Sequence, residues 1–274
     1  MEHEQQLALG MEFSSFDVRD YKAVSTIEEF PEEFELPMVR VKNQGKVNSC
    51  CAHVLSSVVE YFNYTQLDKR TEMSVGYIYG NRENTSHKSN GMILRDALNN
   101  LRLYGDVEKK YFPYNIETPE VIDRFKNQSE ELYDKGYPYR ISAYYKVKTK
   151  EEIKAALKSG YPIPIGVLWY SDMEVKDGIL TTNYKDCKGG HCMLIYGWNE
   201  KGWKVQNSWG RSWGISGTCI IPYDMKLHEA WAVVDTIKEG IEIKKPFSSD
   251  TGKYIAKIIN FIFNLIYEFY KKKQ

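Results

Sequence analysis

Downstream of Ser49 the apolar residues Val54, Leu55, Val58, Val59 and Phe62 recur at three-to-four spacing, which predicts an amphipathic helix beginning at or just after Ser49. Residues 95–103 predict a second helix, stopped near Gly105. Thr118-Pro119 predicts a third, with a cap residue followed by proline at the first helical position and Gly136 as its stop. After Tyr137 the pattern changes to strands, expected over 141–147, 163–170, 192–198, 203–207 and 218–221. One short helix interrupts them at 150–159, where Thr149 and Glu152 have the spacing of a capping box. A helical half at about 48–136 followed by a strand-rich half at about 137–237 predicts an α+β fold.

The two ends of the chain read differently from this body. Residues 1–37 form an N-terminal arm whose Phe13, Phe16, Tyr21 and Phe30 supply enough apolar surface to pack along the body. Residues 238–252 read as a linker, and 253–274 as an amphipathic helix. In that helix Lys253, Lys257, Asn260, Asn264, Glu268 and Lys271 fall within about 80° of one another, and Ile, Phe and Leu side chains fill the remainder. A membrane-spanning helix needs about 20 mostly apolar residues, and this run is shorter with two asparagines inside it. The wide apolar face is therefore expected to pack on protein, its own body or a second copy in a homo-oligomer. Membrane-surface contact through 253–273 is the alternative.

Charge excludes some partners. The chain has 37 basic and 37 acidic residues among 274, so no global field favours nucleic acid. Five cysteines, an odd number with two adjacent, argue against a secreted disulfide framework. The first residues, Met1-Glu2-His3-Glu4-Gln5-Gln6, have neither a basic start nor an apolar run, unlike a signal peptide. A cytoplasmic location is expected.

Three residues then stand out by context. Cys50 lies in Gln44-Gly45-Lys46-Val47-Asn48-Ser49-Cys50-Cys51-Ala52, His191 in Gly189-Gly190-His191-Cys192, and Asn207 in Gln206-Asn207-Ser208-Trp209-Gly210. A thiol attacks a carbonyl as thiolate, so something must hold the negative charge. The first turn of a helix offers unpaired N–H groups and the positive end of the dipole, and Cys50 falls there. An imidazolium from His191 is the second source. Asn207 is placed to orient that ring by accepting from its other nitrogen.

These contexts resemble the papain-like cysteine peptidases over about 38–234. Gln44, Gly45, Ser49, Cys50 and Ala52 match the family's Gln-Gly-x-Cys-Gly-Ser-Cys-Trp-Ala-Phe. Asn207 to Gly214 matches its Asn-Ser-Trp-Gly-x-x-Trp-Gly, and the Cys, His, Asn order is kept. The closer likeness is to the bacterial and phage branch, on Gly91-x-x-x-Arg95-Asp96-Ala97-Leu98, Gly189-Gly190-His191 and Pro222-Tyr223-Asp224. Val47, Asn48 and Cys51 depart from the pattern, replacing its structural cysteine, a glycine and a tryptophan. The resemblance implies a two-lobed fold, a helical lobe and a β-barrel-like lobe with the active site in the cleft between them. It implies a thiol peptidase, with Gln44 and the Cys50 amide as the oxyanion hole and Trp209 shielding the His191–Asn207 hydrogen bond. Gly91, Met92 and Gly190 would face an extended peptide or protein substrate. No metal or organic cofactor is implied. The arm is shorter than the family's folded pro-regions, and an inhibitory arm lying in the cleft is the less expected alternative to packing along a lobe.

Other residues have plainer readings. A Cys50–Cys51 redox switch is disfavoured by the strain of a vicinal disulfide, so Cys51 is expected as a small buried residue. Cys187 and Cys192 flank His191 but lack a fourth zinc partner, and metal would sequester the base. His53, on the same helix as Cys50, is expected in the core. Two rival functions use the same residues: acyl transfer, in which an amine resolves the thioester, and a catalytically silent scaffold acting through the C-terminal helix.

Overall fold

The computed structural model describes residues 8–15, 17, 29–84, 90–113 and 131–235. The expected linker, the C-terminal helix, Phe16, Tyr21 and the Thr118-Pro119 helix start lie outside the described residues.

Helix α1, Cys50–Leu67, is the centre of the fold. Its apolar stripe predicted one buried face, yet every side chain from Cys50 to Asn63 is buried. Helices α2 (Val75–Gly80) and α3 (Leu94–Tyr104) cover one side of it, and the strand that carries His191 covers another. Burying the polar side is possible because its groups are paired. Glu60 accepts from Lys42 Nζ at 2.5 Å and from the Met73 amide at 2.9 Å, with both side chains under a tenth exposed. An unpaired carboxylate in that place would cost several kcal/mol, of order that for breaking a buried pair. Asp68 ends α1 in the left-handed region at φ 51°, its amide returning to the Asn63 and Tyr64 carbonyls.

The strands are β1 Met11–Glu12, β2 Phe34–Glu35, β3 Met92–Ile93, β4 Ala143–Lys146, β5 Ile163–Tyr170, β6 Glu174–Lys176, β7 Ile179–Thr181, β8 Cys187–Trp198, β9 Gly202–Gln206, β10 Thr218–Pro222 and β11 Glu229–Val234. Neighbours run β4-β11-β5-β8-β9-β10-β7-β6 among the described residues, an open path rather than a closed barrel. With three α-helices before residue 105 among the described residues and most strands after 140, the fold is α+β.

The expected strands are present with small changes of boundary, and the helix at 150–159 forms as Lys150–Lys158 with its capping box closed in both directions. Six strands escaped the sequence pattern, among them β1, β2 and β3, which have two residues each. β6 and β7 have three residues each, too few for alternation to register, and join through Asp177 and Gly178, both at positive φ. β11 is buried at all six positions, so it shows no alternation, and its Glu229 and two alanines weaken the apolar run. β8 also starts five residues early because Cys187 to Gly190 read as a glycine-rich loop.

Candidate active site

Four elements bring the site together. Cys50 opens α1, His191 sits in β8, Asn207 directly follows β9, and Gln44 lies on the loop before α1. The antiparallel β8–β9 register, Leu194 opposite Gln206, sets Asn207, one residue past β9, close to His191, three residues before Leu194. His191 Nε2 donates to Asn207 Oδ1 at 2.8 Å, and the same oxygen accepts from the Ser208 amide at 2.8 Å. Trp209 stacks on the His191 ring, centroids 4.4 Å apart and 25° between planes. Trp169 closes the edge of both rings, 5.4 Å from His191 and 4.6 Å from Trp209. The hydrogen bond is thus sealed from water by two indoles, where it is stronger than in solvent. Trp169 was not singled out in the sequence, since a tryptophan inside an apolar strand reads as core.

Gln44 is 2% exposed and held at both ends of its amide. Ser208 Oγ donates to Gln44 Oε1 at 2.6 Å, and the Gln44 amide N–H donates to the Ser208 carbonyl at 2.8 Å. This fixes Nε2, which donates to the Val47 carbonyl at 2.9 Å and the Ala8 carbonyl at 3.0 Å. Ser208 therefore positions the side chain expected to donate to an oxyanion, and the sequence offered only its place beside Asn207 as a signal.

The second carbonyl belongs to the N-terminal arm, which corrects an expectation. Phe30 does pack on the body, against Trp198, but residues 8–14 run along the seam between Met92 and Gly190 instead of over one half. β1 pairs parallel with β3, Met11 opposite Met92, and antiparallel with β8, Met11 opposite Gly190. The Met92 amide donates to the Gly10 carbonyl at 2.8 Å. Gly190 allows this approach, since a Cβ there would stand 2.3 Å from the Met11 carbonyl oxygen. Met92 and Gly190, expected to face an extended peptide, do face an extended segment, and Gly91 is buried beside them.

Cys50 and His191 are both 0% exposed. Burial raises the Cys50 thiol well above its usual 9.0, neighbouring Cys51 raises it further, and His191 opposes the rise. That opposition comes first from a hydrogen bond between the Cys50 thiol and the His191 side chain.

The remaining sequence candidates are placed apart. His53 is buried, its Nδ1 donating to the Ser49 carbonyl at 3.0 Å along its own helix. Cys51 points its thiol at the Met92 carbonyl, 3.7 Å away, and lies beside Cys192. Cys187 is exposed whereas Cys192 is buried.

The description "Papain family cysteine protease" matches residues 31–232. The chain belongs to the papain family of cysteine proteases. Among papain-family relatives, an uncharacterised peptidase C1-like protein of Acanthamoeba polyphaga mimivirus is 28% identical over 197 residues, covering 66% of this chain and 63% of that protein. A cysteine protease of Blomia tropicalis is 24% identical over 230 residues, covering 76% of this chain and 66% of that one. The chain therefore spans about two thirds of these relatives' length. The crystal structure of xylellain, a cysteine protease from Xylella fastidiosa, aligns with a TM-score of 0.73 and 22% identity, covering 86% of this chain and 99% of that one. At 22% identity, the likeness to xylellain shows the fold.

Proposed function

We propose that the chain hydrolyses peptide bonds as a thiol endopeptidase, with Cys50 as nucleophile, His191 as acid and base, Asn207 as the residue that orients His191, and Gln44 as an oxyanion donor. The observation that carries this reading is the convergence of these four side chains at one seam, with the His191–Asn207 hydrogen bond of 2.8 Å beneath Trp209. The thiolate attacks the scissile carbonyl carbon, and the oxygen takes negative charge in reach of Gln44 Nε2 and the Cys50 amide. His191 gives a proton to the leaving amine as the C–N bond breaks, leaving a thioester. It then takes a proton from water, which attacks the thioester and returns the thiol.

Gln44 Nε2 already donates to a backbone carbonyl, that of Ala8, which supports its role as a donor to a peptide oxygen. Met92 and Gly190 are read as the backbone that holds an extended substrate, because they hold Gly10 and Met11 in that way. A reducing compartment is supported by five free cysteines. Mass-spectrometric profiling of a peptide library tests the activity: wild type should generate new termini and Cys50→Ala none. Equal cleavage by both proteins removes the proposed chemistry.

A further inference from the structure

Residues 42–44 form a strap between α1 and the turn that follows β9. On one edge of the strap the Gly210 amide donates to the Lys42 carbonyl at 2.9 Å and the Gln44 amide to the Ser208 carbonyl at 2.8 Å, so Asn43 bridges Trp209 as an antiparallel pair. In a pair bonded in that way Asn43's own carbonyl points to the opposite edge. There it accepts a hydrogen bond from His53 of α1. The same ring bonds the Ser49 carbonyl through Nδ1 at 3.0 Å, and Ser49 Oγ lies 3.2 Å from that nitrogen. Burial, together with the nearby Lys42 charge, keeps His53 neutral, and a neutral imidazole has one N–H for two carbonyls. Its two tautomers serve them in turn. When the proton faces Asn43, Ser49 Oγ donates to the bare Nδ1.

We propose that His53 is a positioning residue, a clamp that holds the strap bearing Gln44 against the first turn of α1 and so sets the oxyanion donor relative to the Cys50 thiol. The effect on rate rests on the peptidase reading above, while the clamp rests on the contacts of the ring. His53 bonds the backbone of the residue before each of the two groups, since Asn43 precedes Gln44 and Ser49 precedes Cys50. The loop between them is closed by the Val47 amide on the Gln44 carbonyl at 3.2 Å and the Ser49 amide on the Val47 carbonyl at 2.8 Å, so a shift of Asn43 is carried to Gln44. Glu60 fastens Lys42 farther along α1, at 2.5 Å, which makes His53 the fastening nearer Cys50. The papain-family signature ends in phenylalanine at this position, a side chain that makes neither bond. An oxyanion donor stabilises the transition state only within hydrogen-bond distance of the developing charge, so a loose strap lowers kcat and leaves ground-state binding alone.

Variants of the full chain test the clamp through two readouts. His53→Leu and His53→Phe fill the space without a donor, in two sizes of which one folded protein suffices, and His53→Gln restores two N–H groups. The first readout needs no turnover: hydrogen exchange of the Gln44 and Gly210 amides, which hold the other edge of the strap. Both should exchange about tenfold faster or more in His53→Leu and His53→Phe and return towards wild type in His53→Gln, with the amides of β8 unchanged. The second is steady-state kinetics on a short peptide. The donor-free variants should lose about 3- to 10-fold in kcat with KM within about twofold of wild type, and His53→Gln should lose less than about twofold. Adding His53→Leu to Gln44→Ala should cost nothing more, because both act through one group. Unchanged exchange at Gln44 and Gly210 in a folded donor-free variant overturns the proposal, as does a loss that adds in full to that of Gln44→Ala. Faster exchange with no peptide cleavage by wild type or any variant keeps the clamp and removes the peptidase reading.

Discussion

Ser208 Oγ donates to Gln44 Oε1 at 2.6 Å across 164 residues of sequence, so the residue next to Asn207 also fixes the side chain we propose as oxyanion donor. Ser208→Ala should leave Gln44 in place but free its amide to rotate. The expected loss is about 3- to 30-fold in kcat with little change in KM, smaller than the roughly 100- to 1000-fold for Gln44→Ala. Steady-state kinetics of the two variants and the double variant check this, and the double should lose no more than Gln44→Ala alone, because both act through one group.

His191→Ala should abolish turnover, whereas Asn207→Ala should leave residual activity, since a misoriented base still transfers protons in the fraction of time it is well placed. Single-turnover rates on a short peptide separate the two. Residual activity in His191→Ala equal to that in Asn207→Ala would remove His191 as the base.

Stability should fall in mild acid through His53. Burial lowers its pKa from 6.5 to about 4. Above pH 6.5 both folded and unfolded chains hold the ring neutral. As pH falls from 6.5 towards 4 the unfolded chain takes up a proton that the folded one refuses, so stability is lost, by up to about 3 kcal/mol. Urea unfolding at pH 7.5 and pH 4.5 should show a clearly smaller drop for His53→Gln than for wild type.

Asp106 has the opposite sign. It is fully buried, and its Oδ1 accepts from the Val107 amide at 2.7 Å. Burial pushes its pKa well above the usual 3.8. A group raised in the fold adds stability below 3.8 and loses it as pH rises through the folded value, so at neutral pH the carboxylate is a cost. Asp106→Asn keeps the acceptor for Val107 and should stabilise by about 1–3 kcal/mol at pH 7.5, the gain shrinking as pH is lowered.

The parts of this molecule that are local in sequence were legible. The start of α1 at Cys50, the Thr149–Glu152 capping box and the stop at Gly105 each follow from residues within one turn of one another. The four candidate site residues stood out because their neighbours form compact motifs. What escaped depends on distant pairing. Met11 meets Met92 and Gly190, and Ser14 meets Glu229, partners that no periodicity in residues 8–15 reveals. Burial on all sides hid β11, since an alternation exists only where one face meets water, while α1 kept a stripe because polar side chains such as Glu60 line its other face and are buried with their partners.

The central claim, that Cys50 is the atom that attacks a peptide carbonyl with help from His191, is tested most directly by a peptidyl chloromethyl ketone followed by mass mapping of all five cysteines. The account predicts one adduct, on the Cys50 thiol, formed at least tenfold more slowly in His191→Ala. Labelling that falls first on Cys51, Cys187 or Cys192, or that is indifferent to His191, would contradict it.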